Sequence, residues 1–276
     1  MISRNYFTFP FYIPRIYRLW SNWPEYLYNY LLRRSTPVEY RLRNGVRMVD
    51  GSGDLTGTLA VVFVRREYGD VKRFRTVVDI GANVGTFALY AAQAAPDAQI
   101  YCFEPEQLNF QLLQRNIDGN GLEQRISAFR CAVASTNDRR DLAVGASLLN
   151  SFHMQSEGAE IQSVDCLTLS DILAIHQLHT IDLLKINCEG AEYEILQACP
   201  SYVFDRIANI RLEYHNLDDN GRNGESLSRY LQTRGYKIER FTRYLNRSGF
   251  IWAGRVGLHA KLAVAAFFAE PLAAIL

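Results

Sequence analysis

The sequence holds no C-x-x-C pair, no long uninterrupted apolar run and almost no net charge. Each absence removes a class of protein. Without paired cysteine spacing there is no readable zinc finger and no thioredoxin-like redox motif, and no metal site is expected. The five cysteines, Cys102, Cys131, Cys166, Cys188 and Cys199, are scattered and odd in number. That fits free thiols in a reducing compartment better than a disulfide framework. A membrane-spanning helix needs about 20 consecutive apolar residues, and none is present. Met1 to Pro24 is broken by Arg4, Pro10, Pro14 and Arg15, so a cleavable secretory signal is not expected and the location is expected to be cytoplasmic. The formal net charge of +1 gives no strong field to recruit nucleic acid.

What is present reads as a globular α/β protein. Hydrophobic residues make up 48% and charged residues 21% of the 276 positions. That is core enough for one large domain with appendages, and chain too short for two full enzymes. Residues 1–72 form an aromatic and basic cap followed by short stretches around Gly45, Gly51, Gly53 and Gly57 that read as small strands or turns. The rings from Phe7 to Tyr30 are read as a cover for the core, with a peripheral membrane contact or a substrate lid as the sharper alternatives. Residues 73–256 alternate strand-like and helix-like segments, the pattern of a mostly parallel sheet with helices on both faces. Strands are expected at 76–80, 99–103, 126–133, 181–186 and 207–215, with helices at 85–95, 106–118, 167–175, 191–198 and 225–233. An extra hairpin is expected at 139–144 and 160–164, and an antiparallel edge hairpin at 237–241 and 249–253. The apolar tail, 257–276, reads as a docking helix that a second copy would meet in a homodimer.

The most informative stretch is Asp79-Ile80-Gly81-Ala82-Asn83-Val84-Gly85-Thr86. A buried strand feeds a glycine turn that opens a helix. A dinucleotide fold uses G-x-G-x-x-G so that a pyrophosphate sits against the turn. Here the spacing is D-x-G-x-x-x-G, and Asp79 would repel a pyrophosphate yet hold a cationic amino group, such as that of the methionine end of S-adenosylmethionine (SAM). Glu104 follows the next strand, about 20 residues on, where a carboxylate accepts hydrogen bonds from ribose hydroxyls.

With these residues in view, the chain resembles the FkbM family of SAM-dependent methyltransferases. Asp79 to Gly85 resembles the family's first motif and Phe103-Glu104-Pro105 its second. Ala132-Val133-Ala134 stands where the family has a small-residue turn. Leu183-Leu184-Lys185-Ile186-Asn187-Cys188-Glu189-Gly190-Ala191-Glu192 resembles its distinctive LLK-I-D-x-E-G-A-E segment, and Arg211-Leu212-Glu213-Tyr214-His215 the strand that follows. The resemblance implies a seven-stranded Rossmann-like methyltransferase fold. It also implies SAM as cofactor, held by Asp79, Gly81, Ala82, Asn83, Gly85, Thr86, Glu104, Pro105 and Ala132. The activity it implies is O-methylation of a small-molecule or glycan acceptor: a sugar, glycan or secondary metabolite. One position departs from the family: Asn187 stands where Asp is usual. An amide takes up no proton, so a weakened SAM-binding or assembly module is a competing reading. A nucleotide-linked oxidoreductase is another.

Methyl transfer to an alcohol needs a proton acceptor near the attacking oxygen. The candidates are Lys185, Asn187, Glu189, Glu213 and His215. His215 is either a base at neutral pH or a structural histidine at a strand end. Glu213 and His215 share a strand face, because alternate residues point the same way.

Overall fold

The computed structural model describes residues 9–32, 38–49, 55–144, 160–218, 221–244 and 247–255. The docking-helix reading of the tail and the central part of the 139–164 hairpin lie outside these residues.

The chain opens with two short helices, α1 (Phe9–Leu19) and α2 (Trp23–Leu32), and a small antiparallel pair, β1 (Glu39–Arg41) and β2 (Arg47–Val49). Their aromatic residues divide in two. Trp20, Tyr26, Tyr30 and Tyr40 are buried, with Trp20 and Tyr26 stacked at 5.4 Å, so this half forms the expected cover. Phe11 and Tyr17 remain in solvent.

Residues 55–64 correct the sequence reading. Around Gly57, where small strands or turns were expected, α3 (Leu55–Leu59) continues into a π-helical turn over Ala60–Val64. Every residue of that run is buried. A segment covered on all sides shows no periodicity, and β-branched composition then misleads.

From Thr76 the pattern holds. The parallel strands are β3 (Thr76–Ile80), β4 (Gln99–Phe103) and β5 (Ile126–Phe129). They alternate with α4 (Thr86–Ala94) and α5 (Gln107–Asp118). The expected third strand, 126–133, splits after Phe129. Its end, β6 (Ala132–Val133), leaves the main sheet to pair with β8 (Glu160–Leu167), which also forms the expected hairpin with β7 (Arg139–Val144). Next come α6 (Leu169–Ile175), β9 (Leu183–Ile186), α7 (Glu192–Ala198), α8 (Ser201–Phe204) and β10 (Asn209–His215). Thr168 caps α6 through a reciprocal capping box with Asp171. The chain then forms α9 (Gly224–Thr233), β11 (Tyr236–Phe241) and β12 (Ser248–Arg255).

The seven-stranded sheet runs β11-β12-β10-β9-β3-β4-β5. Only β12 is antiparallel to its neighbours, inserted between β10 and β11. Side chains alternate between two cores. Val77, Ile100 and Leu183 face α4, α5 and the N-terminal cap, while Val78, Phe103, Leu184 and Ile210 face α6 to α9. The N-terminal helices thus share a core with the sheet. The loops after β3, β4 and β9 meet at the carboxyl ends of the parallel strands, where ligands bind in open α/β sheets.

Candidate active site

Gly81 fixes how the first two of these loops meet. Its φ is +71°, and its amide donates to the Phe103 carbonyl at 3.0 Å. A β-carbon there would stand 1.8 Å from the Asn187 carbonyl oxygen, so only glycine lets the turn after β3 touch the loop after β9. Gly85, with φ +89°, has a different task. A β-carbon there would lie 2.7 Å from Leu113 Cδ1, so it lets α4 pack against α5.

A cavity opens above Gly81. Its wall includes Gly81, Asn83, Glu104, Pro105, Asn187 and Glu189, with Asn109, Ala132 and Leu142 across from them. Glu104 is the polar centre of one side. Oε2 accepts the Asn83 amide at 2.8 Å and Oε1 the Glu106 amide at 3.1 Å. Each oxygen keeps a lone pair for a further donor. Burial pushes the carboxyl up to about 7, and the two amides pull the other way. This is the chemistry of a site for paired ribose hydroxyls. Glu104→Gln is expected to weaken SAM binding by roughly ten- to a hundredfold, the worth of a hydrogen bond to a charged group. Wild-type affinity is expected to rise as pH passes upward through about 7, where the carboxylate becomes the dominant form. Calorimetric titration at several pH values checks both.

Asp79 does not reach that cavity, which corrects the expectation of two carboxylates gripping the ends of one ligand. It is fully buried, and Lys185 Nζ lies 2.8 Å from its Oδ1. Burial raises its pKa and the lysine opposes this. Lys185 also donates to the Gly81 carbonyl at 2.8 Å, so it is committed to the turn and is no free base. Ala82 and Thr86 are buried away from the cavity as well; Thr86 Oγ1 meets Met48 Sδ at 3.5 Å. Of the sequence candidates for cofactor contact, Gly81, Asn83, Glu104, Pro105 and Ala132 line the cavity.

The loop after β9 carries Glu189, also on the cavity wall, in the left-handed region, φ +51°. A non-glycine residue there is uncommon, and such backbones gather at functional sites. Burial raises the Glu189 pKa, with His215 opposing. His215 stands between two carboxylates. Its Nε2 lies 3.3 Å from Glu189 and its Nδ1 3.3 Å from Glu192. Burial works against a charged ring. The hydrogen bond to Glu192 and the charges of Glu189, Glu192 and Glu213 outweigh it, and the pKa stands at about 9. These neighbours favour the charged ring, which makes Glu189 rather than His215 the better placed proton acceptor.

Glu192, fully buried, accepts the Gly190 amide at 2.8 Å and the His215 amide at 2.7 Å, fastening α7 to the end of β10. Behind the cavity wall, Glu213 accepts Asn187 Nδ2 at 3.1 Å, and burial pushes its carboxyl up to about 7. Glu213 and His215 thus stand in a second layer, while Asn187 and Glu189 face the cavity.

The family model of the methyltransferase FkbM domain matches residues 79–238, more than half of the chain. The chain belongs to the FkbM methyltransferase family. Residues 79–238 thus form a methyltransferase FkbM domain. Its relatives include "Methyltransferase sdnD" of Sordaria araneosa, 27% identical over 168 residues, which cover 50% of this chain and 65% of that protein. "Methyltransferase 1" of Beauveria bassiana is 27% identical over 184 residues, covering 59% and 72%. "31-O-demethyl-FK506 methyltransferase FkbM" of Streptomyces tacrolimicus is 26% identical over 194 residues, also covering 59% and 72%. The match to the first relative thus spans just under two thirds of its length.

Asn109 and Leu142 line the cavity without belonging to any sequence motif. Asn109 follows the helix-capping Glu106 by three positions and so faces the same end of α5. Leu142 reaches the cavity from a hairpin outside the main sheet, and no motif marks it.

Proposed function

We propose that the chain transfers the methyl group of SAM to a hydroxyl of a sugar, glycan or secondary metabolite. The observation that carries this reading is Glu189, a carboxylate lining the same cavity as Glu104, with the His215 ring 3.3 Å from it. An alcohol needs a proton acceptor where it attacks. When bound, SAM supplies an electrophilic methyl group. Glu104 holds the ribose. As the methyl group left sulfur for the acceptor oxygen, with S-adenosylhomocysteine as the leaving group, Glu189 would take the hydroxyl proton, and His215, held by Glu192, would keep Glu189 oriented. The name of the Streptomyces relative, with its O-demethyl substrate, supports an oxygen acceptor.

The test is incubation of the purified chain with SAM and a panel of hydroxylated acceptors, read by mass spectrometry. A product 14 Da heavier (about, one CH₂ gained per transfer) and methylated on oxygen is the expected result. Methylation on nitrogen or carbon alone would overturn it.

A second reading, a weakened enzyme, draws on Asn187. Asp at that position would set a carboxylate against Glu213, where the amide now donates. Two such neighbours share one proton, and the pKa of one rises. Asn187→Asp is therefore expected to lower kcat about tenfold at neutral pH, in line with a charge conflict of about 1.4 kcal/mol, and to move the acidic limb of the rate profile upward. A gain in turnover would favour the second reading.

A further inference from the structure

The half of the N-terminal aromatic cluster that leaves the core has no role in the site. In α1 the buried face is carried by Ile16, with Trp20 just beyond the helix, and the other face is open: Phe11 is 83%, Tyr17 54% and Ile13 40% exposed. Ile13 and Tyr17 lie one turn apart along one side of this open face, and Phe11 and Arg18 two turns apart along its other side. The surface continues onto α2. Tyr17 meets Trp23 edge-on at 5.8 Å, and Leu31 and Leu32 at the end of α2 are about half exposed. Exposed apolar residues gathered on adjacent helices mark a contact surface.

Its charge selects the partner. The sequence of α1, FPFYIPRIYRL, contains two arginines and no acid. Arg43 adds a third guanidinium, 4.9 Å over the Tyr17 ring and bonded to the Tyr17 carbonyl at 2.9 Å. Two acids lie nearby: Glu39, paired with Arg41 at 2.6 Å, and Glu25 in the first turn of α2, which accepts from Asn22 Nδ2 at 2.9 Å, so the arginines outnumber them on this surface. Rings and branched aliphatics beside arginines, on helices of 11 and 10 residues, are the chemistry of an amphipathic element lying in an anionic lipid interface. No helix among the described residues is long and apolar enough to cross a membrane, so the contact is peripheral.

We propose that the exposed face of α1, continued by α2, docks the protein on an anionic phospholipid surface. The aromatic and aliphatic side chains enter the headgroup layer, and Arg18 and Arg43 meet lipid phosphates. This holds whatever the methyl acceptor is.

The test is cosedimentation of the full chain with vesicles of phosphatidylcholine alone and of phosphatidylcholine with phosphatidylglycerol. Binding is expected on the anionic vesicles, falling as salt is raised. Phe11→Ser and Arg18→Glu are each expected to weaken it about fivefold or more, with the thermal melt and SAM affinity unchanged. Equal partition onto both vesicle types, or binding unaltered in both variants, would overturn the proposal. So would a dimer in light scattering that the same variants return to monomer, since the surface would then serve a second copy.

Discussion

Glu189→Gln is expected to lower kcat by about a hundred- to a thousandfold, the range for loss of a positioned general base, and to leave SAM affinity close to wild type. Gln matches Glu in length, so the cavity wall keeps its shape. What disappears is the capacity to take a proton. The pH profile of the wild-type enzyme carries the same argument. Glu189 is raised by burial, so the acidic limb is expected above the ordinary carboxylate range. His215 is raised to about 9, above the ordinary histidine value. Its charge is therefore fully present below the ordinary value and lost as pH rises through about 9. The alkaline limb is expected there, because Glu189 then loses the cation that orients it. The ion pair's contribution to folding stability fades over the same window. Single-acceptor kinetics, with SAH release as the signal, measure kcat and kcat/KM across pH. If Glu189→Gln keeps wild-type turnover while Glu213→Gln loses it, the base is the carboxylate behind Asn187 instead.

The strands of the central sheet were legible because each is a short apolar run bounded by turn residues. Thr76–Ile80 and Gln99–Phe103 emerge with the boundaries read from the sequence. Gly81 and Glu104 lie where their spacing placed them, just beyond the ends of adjacent parallel strands. Residues 55–64 were not legible, because complete burial erases the periodicity that separates helix from strand. The charge on His215 was equally hidden. Glu189 and Glu192 belong to a different segment of the chain, and only the packing of α7 against β10 puts one carboxylate on each ring nitrogen. Proton affinities are set by such three-dimensional neighbours, and sequence order does not report them.

Asp79 shows the same limit with the sign reversed, and its substitution is expected to have the largest effect on stability. The sequence offers it as a ligand for the cationic end of SAM. In the fold that cation is already supplied by Lys185, itself 4% exposed. Neither Asp79 oxygen has a well-aligned hydrogen-bond donor, so the pair is held chiefly by charge. Asp79→Ala would leave a buried ammonium with only the Gly81 and Ile80 carbonyls and the nearby Tyr68 and Phe87 rings. Stranding one partner of a buried ion pair costs about 3–5 kcal/mol. That loss is expected in urea unfolding of the ligand-free protein, before any SAM is added. Replacing both partners, Asp79→Ala with Lys185→Met, is expected to recover most of it, because an apolar pair needs no counter-charge. A direct cofactor ligand behaves otherwise: its removal would spare ligand-free stability and weaken SAM binding alone. The loop after β3 is thus built on an internal salt bridge, in which Asp79 pairs with the lysine that holds the Gly81 carbonyl.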